Sequence, residues 1–366
     1  MSDLYVAAPS RGPSPGLFSD ADYARQRAFF DARPDLRPTP LRRLPGLARL
    51  LGLRAIWAKD ETGRFGLTAF KAAGARFAVE TLLEEGAIAP GATLACASEG
   101  NHGRAVARAA REAGCACRVY MAATAAAARV AAIEDEGATV VRVQGTYDDA
   151  VGQAAHEARA HGWTVVSDTS WPGYEDIPRR IMLGYTRLMD EAADAWGPGP
   201  DTIFVQGGVG GLLAAVASWT AWRYGQARPA IVSVEPSSAA CLLESARAGA
   251  PVHVHGPLTT VMAGLRCGDV SPLAFSALRP IVDAYMAIDD DWAVEGLRRL
   301  ARPSGGDRAI EAGASGAAAL GGLLAALHDP EMAEVKARLG LGPGSRVAVL
   351  VTEGVTDPAI WDALLG

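Results

Sequence analysis

From residue 55 onward the chain alternates between two hydrophobic rhythms. Short apolar runs at 55–59, 93–97, 117–121, 139–143, 163–167, 202–206 and 230–234 have the length and composition of strands. Longer stretches with apolar residues three and four positions apart follow them, at 70–85, 103–113, 125–136, 147–161, 178–195, 212–222 and 239–248, and these predict helices. Toward the end, 280–288 and 346–352 read as strands around helices at 291–300 and 315–328. The alanine-rich stretch 122–132 fits a plain helix, because alanine has the best helix propensity. Alternation of this kind predicts an α/β fold of parallel sheets covered by helices on both faces. Such sheets bind ligands in crevices outside the carboxyl ends of their strands. The unusual polar and glycine residues cluster there, after Ala97, Val166, Gln206 and Val351. The run from 93 to 167 is compact enough for a small subdomain of four strands.

Composition narrows the function classes. A chain of 366 residues allows two or three domains or one large α/β unit, and 49% hydrophobic residues fill a core. Net charge is −6 with no basic block, which argues against nucleic acid and anionic membrane as partners. No apolar run approaches the ~20 residues of a membrane span. The first twenty residues are rich in Pro, Ser and Gly and lack the apolar segment of a secretory signal, so a flexible or extended arm on a cytoplasmic protein is expected. The five cysteines form no Cys-x-x-Cys pair and predict reduced thiols, with no disulfide scaffold and no metal site. His253-Val254-His255 lies between Pro251 and Pro257 and reads as a loop.

Four segments carry candidate chemistry. In Phe65-Gly66-Leu67-Thr68-Ala69-Phe70-Lys71 a lysine stands where a loop enters a helix, beside an aromatic residue. In a dry setting such a lysine is a nucleophile or Schiff-base former; on its own it also fits a solvated surface position. Gln206-Gly207-Gly208-Val209-Gly210-Gly211 follows a strand and opens a helix, so its backbone N–H groups and the helix dipole can converge on a phosphate. The spacing does not fit a dinucleotide fingerprint, although Glu235 ends the next strand, and no Gly-Lys-Ser/Thr is present for a triphosphate. Ser98-Glu99-Gly100-Asn101-His102-Gly103 offers Asn101 for a ring hydroxyl or a carboxylate, and Glu99 as a general base or a solvated acid beside a cap. Asp168 and Thr352 end two further strands, each as a proton-transfer group or hydroxyl donor, or as a simple cap.

A lysine, an anion cradle and several polar strand ends match the needs of pyridoxal 5'-phosphate. The chain resembles the fold type II (tryptophan synthase β-like) pyridoxal-phosphate enzymes, and among them the diaminopropionate ammonia-lyases. The family's Arg-Phe-Gly-Leu-Asn-Ala-Phe-Lys is met by Arg64 to Lys71 with Thr68 in the Asn place. Its Asp-Thr-x-Trp-x-Gly-Tyr-x-x-Ile-Pro is met by Asp168, Thr169, Trp171, Gly173, Tyr174, Ile177 and Pro178. Ile181-Met182 with Gly184-Tyr185, Met262-Ala263-Gly264-Leu265 with Cys267-Gly268, and Thr352-Glu353-Gly354 with Thr356-Asp357 also match. The likeness runs from about residue 59 to 357.

The resemblance implies two αβα domains with the cofactor in the cleft between them. Residues 1–88 and 190–366 would form the larger domain, with 1–20 as an arm, and 89–189 the smaller. It implies Lys71 as the Schiff-base lysine and Phe70 flanking the ring. Asn101 would face the ring hydroxyl, and Gly207, Gly208, Val209, Gly210 and Gly211 the phosphate. Thr352 would stand at the ring nitrogen, and Asp168 and Glu99 at the substrate. The implied reaction is α,β-elimination from a small β-amino or β-hydroxy amino acid by a homodimer. β-Replacement, and a non-catalytic amino-acid-binding regulator on the same fold, are the alternatives. Two positions depart from the family: Glu99 stands where it has Asp before Gly-Asn-His-Gly, and Ala314 where it has Glu in Gly-Glu-Ser-Gly. The first bears on D-isomer use, since a base acts only within hydrogen-bond reach of its proton. The second removes a carboxylate near a site for a cationic β-amine.

Overall fold

A computed structural model describes residues 2–7, 16–98, 100–145 and 147–366. In chain order the strands are β1 Asp3–Val6, β2 Leu41–Arg43, β3 Ala55–Asp60, β4 Thr93–Ala97, β5 Ala116–Ala122, β6 Thr139–Val143, β7 Thr164–Val165, β8 Thr202–Gln206, β9 Ala230–Pro236, β10 Ala284–Ile288 and β11 Arg346–Val351. They form a seven-stranded sheet ordered β1-β10-β9-β8-β11-β3-β2 and a four-stranded sheet ordered β6-β5-β4-β7. Every pairing is parallel except at the two edges of the larger sheet, where β1 and β2 run antiparallel to their neighbours. β8 and β10 are buried at every position, as near-continuous apolar runs covered on both faces must be. No helix among the described residues is long and apolar enough to cross a membrane.

The strand order sets up the site. β3, β11 and β8 lie side by side and parallel, so their carboxyl ends open at one crevice. From these ends the chain runs into the lysine loop, Thr352-Glu353 and the glycine loop. β4 and β7, neighbours in the smaller sheet, send Ser98 and Asn101, and Ser167 and Asp168, toward the same place.

Several elements differ from the sequence pattern. The arm is an edge strand over Asp3–Val6, where the open side of β10 accepts it. The helix expected at 178–195 is two, Asp176–Tyr185 and Arg187–Ala193. At the break, Thr186 Oγ1 donates back to Leu183 O at 2.6 Å and tightens the turn. The strand at 163–167 shrinks to Thr164–Val165, and the chain then bends at Asp168 and Thr169.

The loop between β3 and Lys71 is secured by a dry network of four charges. Lys59, Glu61, Arg64 and Glu191 are all under a tenth exposed. Arg64 binds Glu61 through Nε at 2.6 Å and Nη2 at 2.7 Å, and Glu191 through Nη1 at 2.8 Å and Nη2 at 2.7 Å. Lys59 Nζ reaches Glu191 Oε2 at 2.7 Å and Thr39 O at 2.8 Å. Two cations and two anions balance, so no charge is buried alone. Burial works against the Glu191 carboxylate, but Arg64 and Lys59 outweigh it and hold the pKa at about 2.

The helix that begins at Lys71 packs on Asp176–Tyr185 at backbone contact. A Cβ on Gly184 would lie 2.8 Å from both Ala73 O and Gly74 Cα, and one on Gly74 would lie 2.7 Å from Ile181 O. Only glycine permits this approach.

Two outcomes follow from this packing. Glu191→Gln leaves two buried cations to share Glu61 and should cost ~3–5 kcal/mol in urea unfolding at neutral pH. The Glu191 pKa is lower folded than unfolded, so its contribution is full above the unfolded value and is lost as pH falls toward 2. The gap between wild type and variant should therefore narrow on acidification. Gly184→Ala should destabilise by ~1–3 kcal/mol, because backbone atoms and not a flexible side chain must give way.

Candidate active site

Lys71 is the first residue of the Lys71–Glu84 helix, and the loop before it is held on two sides. On one side is the Arg64 clamp. Next to it Phe65 has φ 51, a left-handed conformation costly for a bulky residue, with its ring 5.0 Å from the Arg64 guanidinium. On the other side the loop is stitched to the end of β11. Phe70 N donates to Thr352 O at 3.0 Å, Gly354 N donates to Thr68 O at 2.8 Å, and Ala69 bridges Glu353. Lys71 Nζ therefore emerges at a fixed point, 5.0 Å from the Phe70 ring centre and 5.8 Å from that of Tyr185.

An ammonium there has both burial and the positive end of a helix dipole against it. Asp168 compensates: Lys71 Nζ donates to Asp168 Oδ2. Burial lowers the Lys71 pKa, but the Asp168 charge outweighs it and lifts the amine above an ordinary lysine. Burial likewise opposes the Asp168 carboxylate, yet His102 and Lys71 hold it far below the usual carboxylate range.

Asp168 owes its position to the turn that follows β7. Trp171-Pro172-Gly173-Tyr174 doubles back, with Gly173 at φ 84 and the two aromatic rings stacked 4.0 Å apart. Tyr174 Oη accepts from Ser167 N at 2.9 Å and donates to Val165 O at 2.8 Å, closing the turn onto the strand. Ser170 ties it to the larger sheet's side through Ser271 Oγ at 2.8 Å.

The glycine loop takes the form expected of an anion cradle, with one correction. Gly207 N–H donates to Val234 O at 2.7 Å as the last rung between β8 and β9, so it is not free for a phosphate. Gly210, at φ +99, turns the chain into the Gly211–Tyr224 helix, whose N-terminus adds a favourable dipole. Glu235 is fully buried. Its carboxyl lies beneath the loop and accepts from Leu242 N and Leu243 N, both at 2.8 Å. Burial pushes its pKa up to about 8 against those two donors.

Asn101 begins the Asn101–Glu112 helix, and Ser98 Oγ anchors the preceding turn by accepting from Gly100 N at 3.0 Å and Gly103 N at 2.8 Å. Asn101 Nδ2 donates to Glu353 Oε2, which fixes the amide beside the residue next to Thr352. Burial raises the Glu353 pKa despite hydrogen bonds from Asn101 and Ser315. Thr352 and Ala314 are buried at the same crevice, while Glu99 lies outside the described residues. Lys71, Phe70, Asp168, Asn101, Thr352 and the glycine loop thus stand around one crevice. Sequence reasoning missed two of its members. His102 touches the Asp168 side, and Glu353 touches Asn101. Both stood inside quoted motifs.

A lysine amine in a half-buried crevice, an anion cradle at a helix N-terminus and a neutral hydroxyl at a strand end fit pyridoxal phosphate, atom class by atom class. The family model described as pyridoxal-phosphate dependent enzyme matches residues 32–353. The diaminopropionate ammonia-lyase of Escherichia coli (strain K12) is 37% identical over 94% of this chain and 92% of its own length. That of Salmonella typhimurium (strain LT2) is 34% identical over 92% of this chain and 90% of its own. The crystal structure of the Escherichia coli diaminopropionate ammonia lyase in complex with an aminoacrylate-PLP azomethine reaction intermediate superposes with a TM-score of 0.92 at 35% identity, covering 100% of this chain and 97% of that one. The chain belongs to the pyridoxal-phosphate dependent enzymes of fold type II and is a diaminopropionate ammonia-lyase-like member of that family.

Proposed function

We propose that the chain catalyses α,β-elimination on a small L-amino acid with a β-amino or β-hydroxyl group, yielding a 2-oxo acid and ammonia. The observation that carries this reading is the Lys71–Asp168 pair in the crevice that the glycine loop also faces. The bound cofactor supplies an electron sink for charge developing at the substrate's α-carbon. Lys71 is the residue to hold it covalently, with Phe70 along its ring. The amides from Gly208 to Gly211 would receive its phosphate. Asn101 would face its ring oxygen, and the Thr352 hydroxyl would meet its ring nitrogen. A neutral partner there leaves the ring less protonated, which favours expulsion of a β-group over transamination.

Asp168 Oδ2 or the Lys71 amine takes the α-proton of the L-isomer. Glu99 is one methylene longer than the family's Asp, a base acts only within hydrogen-bond reach of its proton, and D-isomers are expected to be poorer substrates. Ala314 offers no charge to a β-ammonium, so β-hydroxy amino acids are candidates alongside diaminopropionate. The strands of the smaller sheet all fall within 89–189, which supports treating that segment as the smaller of two domains.

Purified protein with pyridoxal phosphate should show a visible absorption band that Lys71→Ala abolishes; a colourless wild type would remove this reading. Release of 2-oxo acid from the L- and D-forms of diaminopropionate, serine, threonine and bulkier β-hydroxy amino acids should identify an L-substrate. Asp168→Asn should lower kcat/KM on it by ~10²–10⁴-fold. A coloured protein that yields no oxo acid from any of them would count against elimination. A further outcome concerns loading of the cofactor. Only the neutral amine attacks an aldehyde, and Asp168 holds Lys71 as the ammonium. The loading rate should therefore rise with pH, and Asp168→Asn should load faster than wild type at neutral pH in a stopped-flow measurement.

A further inference from the structure

His102 stands behind Asp168, buried, with its two ring nitrogens in unlike surroundings. Nε2 lies 2.8 Å from Val166 O. A carbonyl oxygen only accepts, so Nε2 carries the hydrogen and the tautomer is set. Nδ1 is then an acceptor in the neutral ring. It has no hydrogen-bond partner among the described residues and lies 3.8 Å from Asp168 Oδ2. Two acceptors face each other across a dry gap, an arrangement that holds only with a cation or a proton close by. Lys71 is that cation, donating to the same Oδ2.

We propose that His102 is a positioning residue that takes a proton at Nδ1 whenever Lys71 ceases to be an ammonium, and so keeps Asp168 ionised and in place. This rests on the reading of Lys71 as the cofactor lysine. The proton has a defined route: an Nζ–H bond of Lys71 breaks, Asp168 Oδ2 passes the proton on, and an Nδ1–H bond forms. No proton need come from solvent, and Lys71 is left as the free amine. The charges on the ring agree with this direction. Burial depresses the His102 pKa, the Asp168 carboxylate raises it, and the Lys71 ammonium depresses it again. Withdrawing the ammonium removes one of the two opposing influences and leaves the carboxylate unshared. The other titratable groups around Asp168 are Cys96, Tyr174, Tyr185 and Cys267. Burial raises the pKa of each, so they stay neutral near pH 7 and cannot serve as the cation.

Nitrogen-15 NMR of histidine-labelled protein tests the pairing without turnover. In cofactor-free wild type at neutral pH, Nδ1 of His102 should resonate as an unprotonated nitrogen. In cofactor-free Lys71→Ala it should move to the protonated range, and in Lys71→Ala/Asp168→Asn it should move back. An unprotonated Nδ1 in Lys71→Ala at neutral pH overturns the proposal. His102→Gln keeps a donor for Val166 O but holds no proton. Its cofactor loading, followed by the visible band, should be slower than wild type at neutral pH, with the difference narrowing as pH rises and the fraction of neutral Lys71 grows. An equal deficit at every pH would mean a purely structural role and would also overturn the proposal. If the wild type forms no band, the assignment of Lys71 fails, while the NMR comparison still decides the His102–Asp168 pairing.

Discussion

A positive amine at the start of a helix, inside a crevice, is opposed by burial and by the backbone dipole alike. The carboxylate of Asp168 reverses that balance, and much of the architecture serves to bring the two together. They come from different sheets: Lys71 follows β3 of the larger, Asp168 follows β7 of the smaller. Neither sheet could present the pair alone. The ion pair is therefore both a chemical arrangement and a joint across the cleft, and its geometry is only as good as the two loops that carry it.

Those loops are held by different physics. The lysine loop is fixed electrostatically from below, by four buried charges that sum to zero, and by backbone hydrogen bonds from the end of β11. A network of this kind adds little net stability, since each ion has lost its water, but it tolerates only one arrangement. That selectivity is what a strained Phe65 requires. The Asp168 loop is fixed by a neutral device, a two-ring stack and a tyrosine hydroxyl that both accepts and donates. A charged anchor there would have competed with Lys71 for the carboxylate.

Much of this was legible in the sequence. Buried parallel strands announce themselves as apolar runs, so β4, β6 and β8 were bounded to the residue. Residues that break the pattern just after such runs, Lys71 through its loop, Asn101, Asp168, Gly208 and Thr352, do meet at one crevice, because parallel strands all point their carboxyl ends the same way. What stayed hidden depends on partners distant in sequence. Gly207 resembles its neighbours in the glycine loop, and only the register with β9 shows its amide to be committed. His102 and Glu353 look like motif filler until the partners 66 and 252 residues away are in place, Asp168 for the one and Asn101 for the other. The helix at Asp20–Asp31 is capped by a Ser19–Asp22 box, but it buries only Tyr23, Gln26, Phe29 and Phe30, too few apolar positions to set a clear helical rhythm in the sequence.

The contact between Gly74 and Gly184 has a meaning for how relatives of this chain diverge. Neither residue lines the crevice, yet Gly74 is one helical turn beyond Lys71 and Gly184 immediately precedes Tyr185, whose ring faces the lysine. A single added methyl at either place would push the two helices apart, and the lysine and its aromatic wall would separate with them. The separation of the lysine from that ring is thus set in part by a helix contact and not by either side chain. A lineage could change the size of molecule it accepts without altering any residue that touches it.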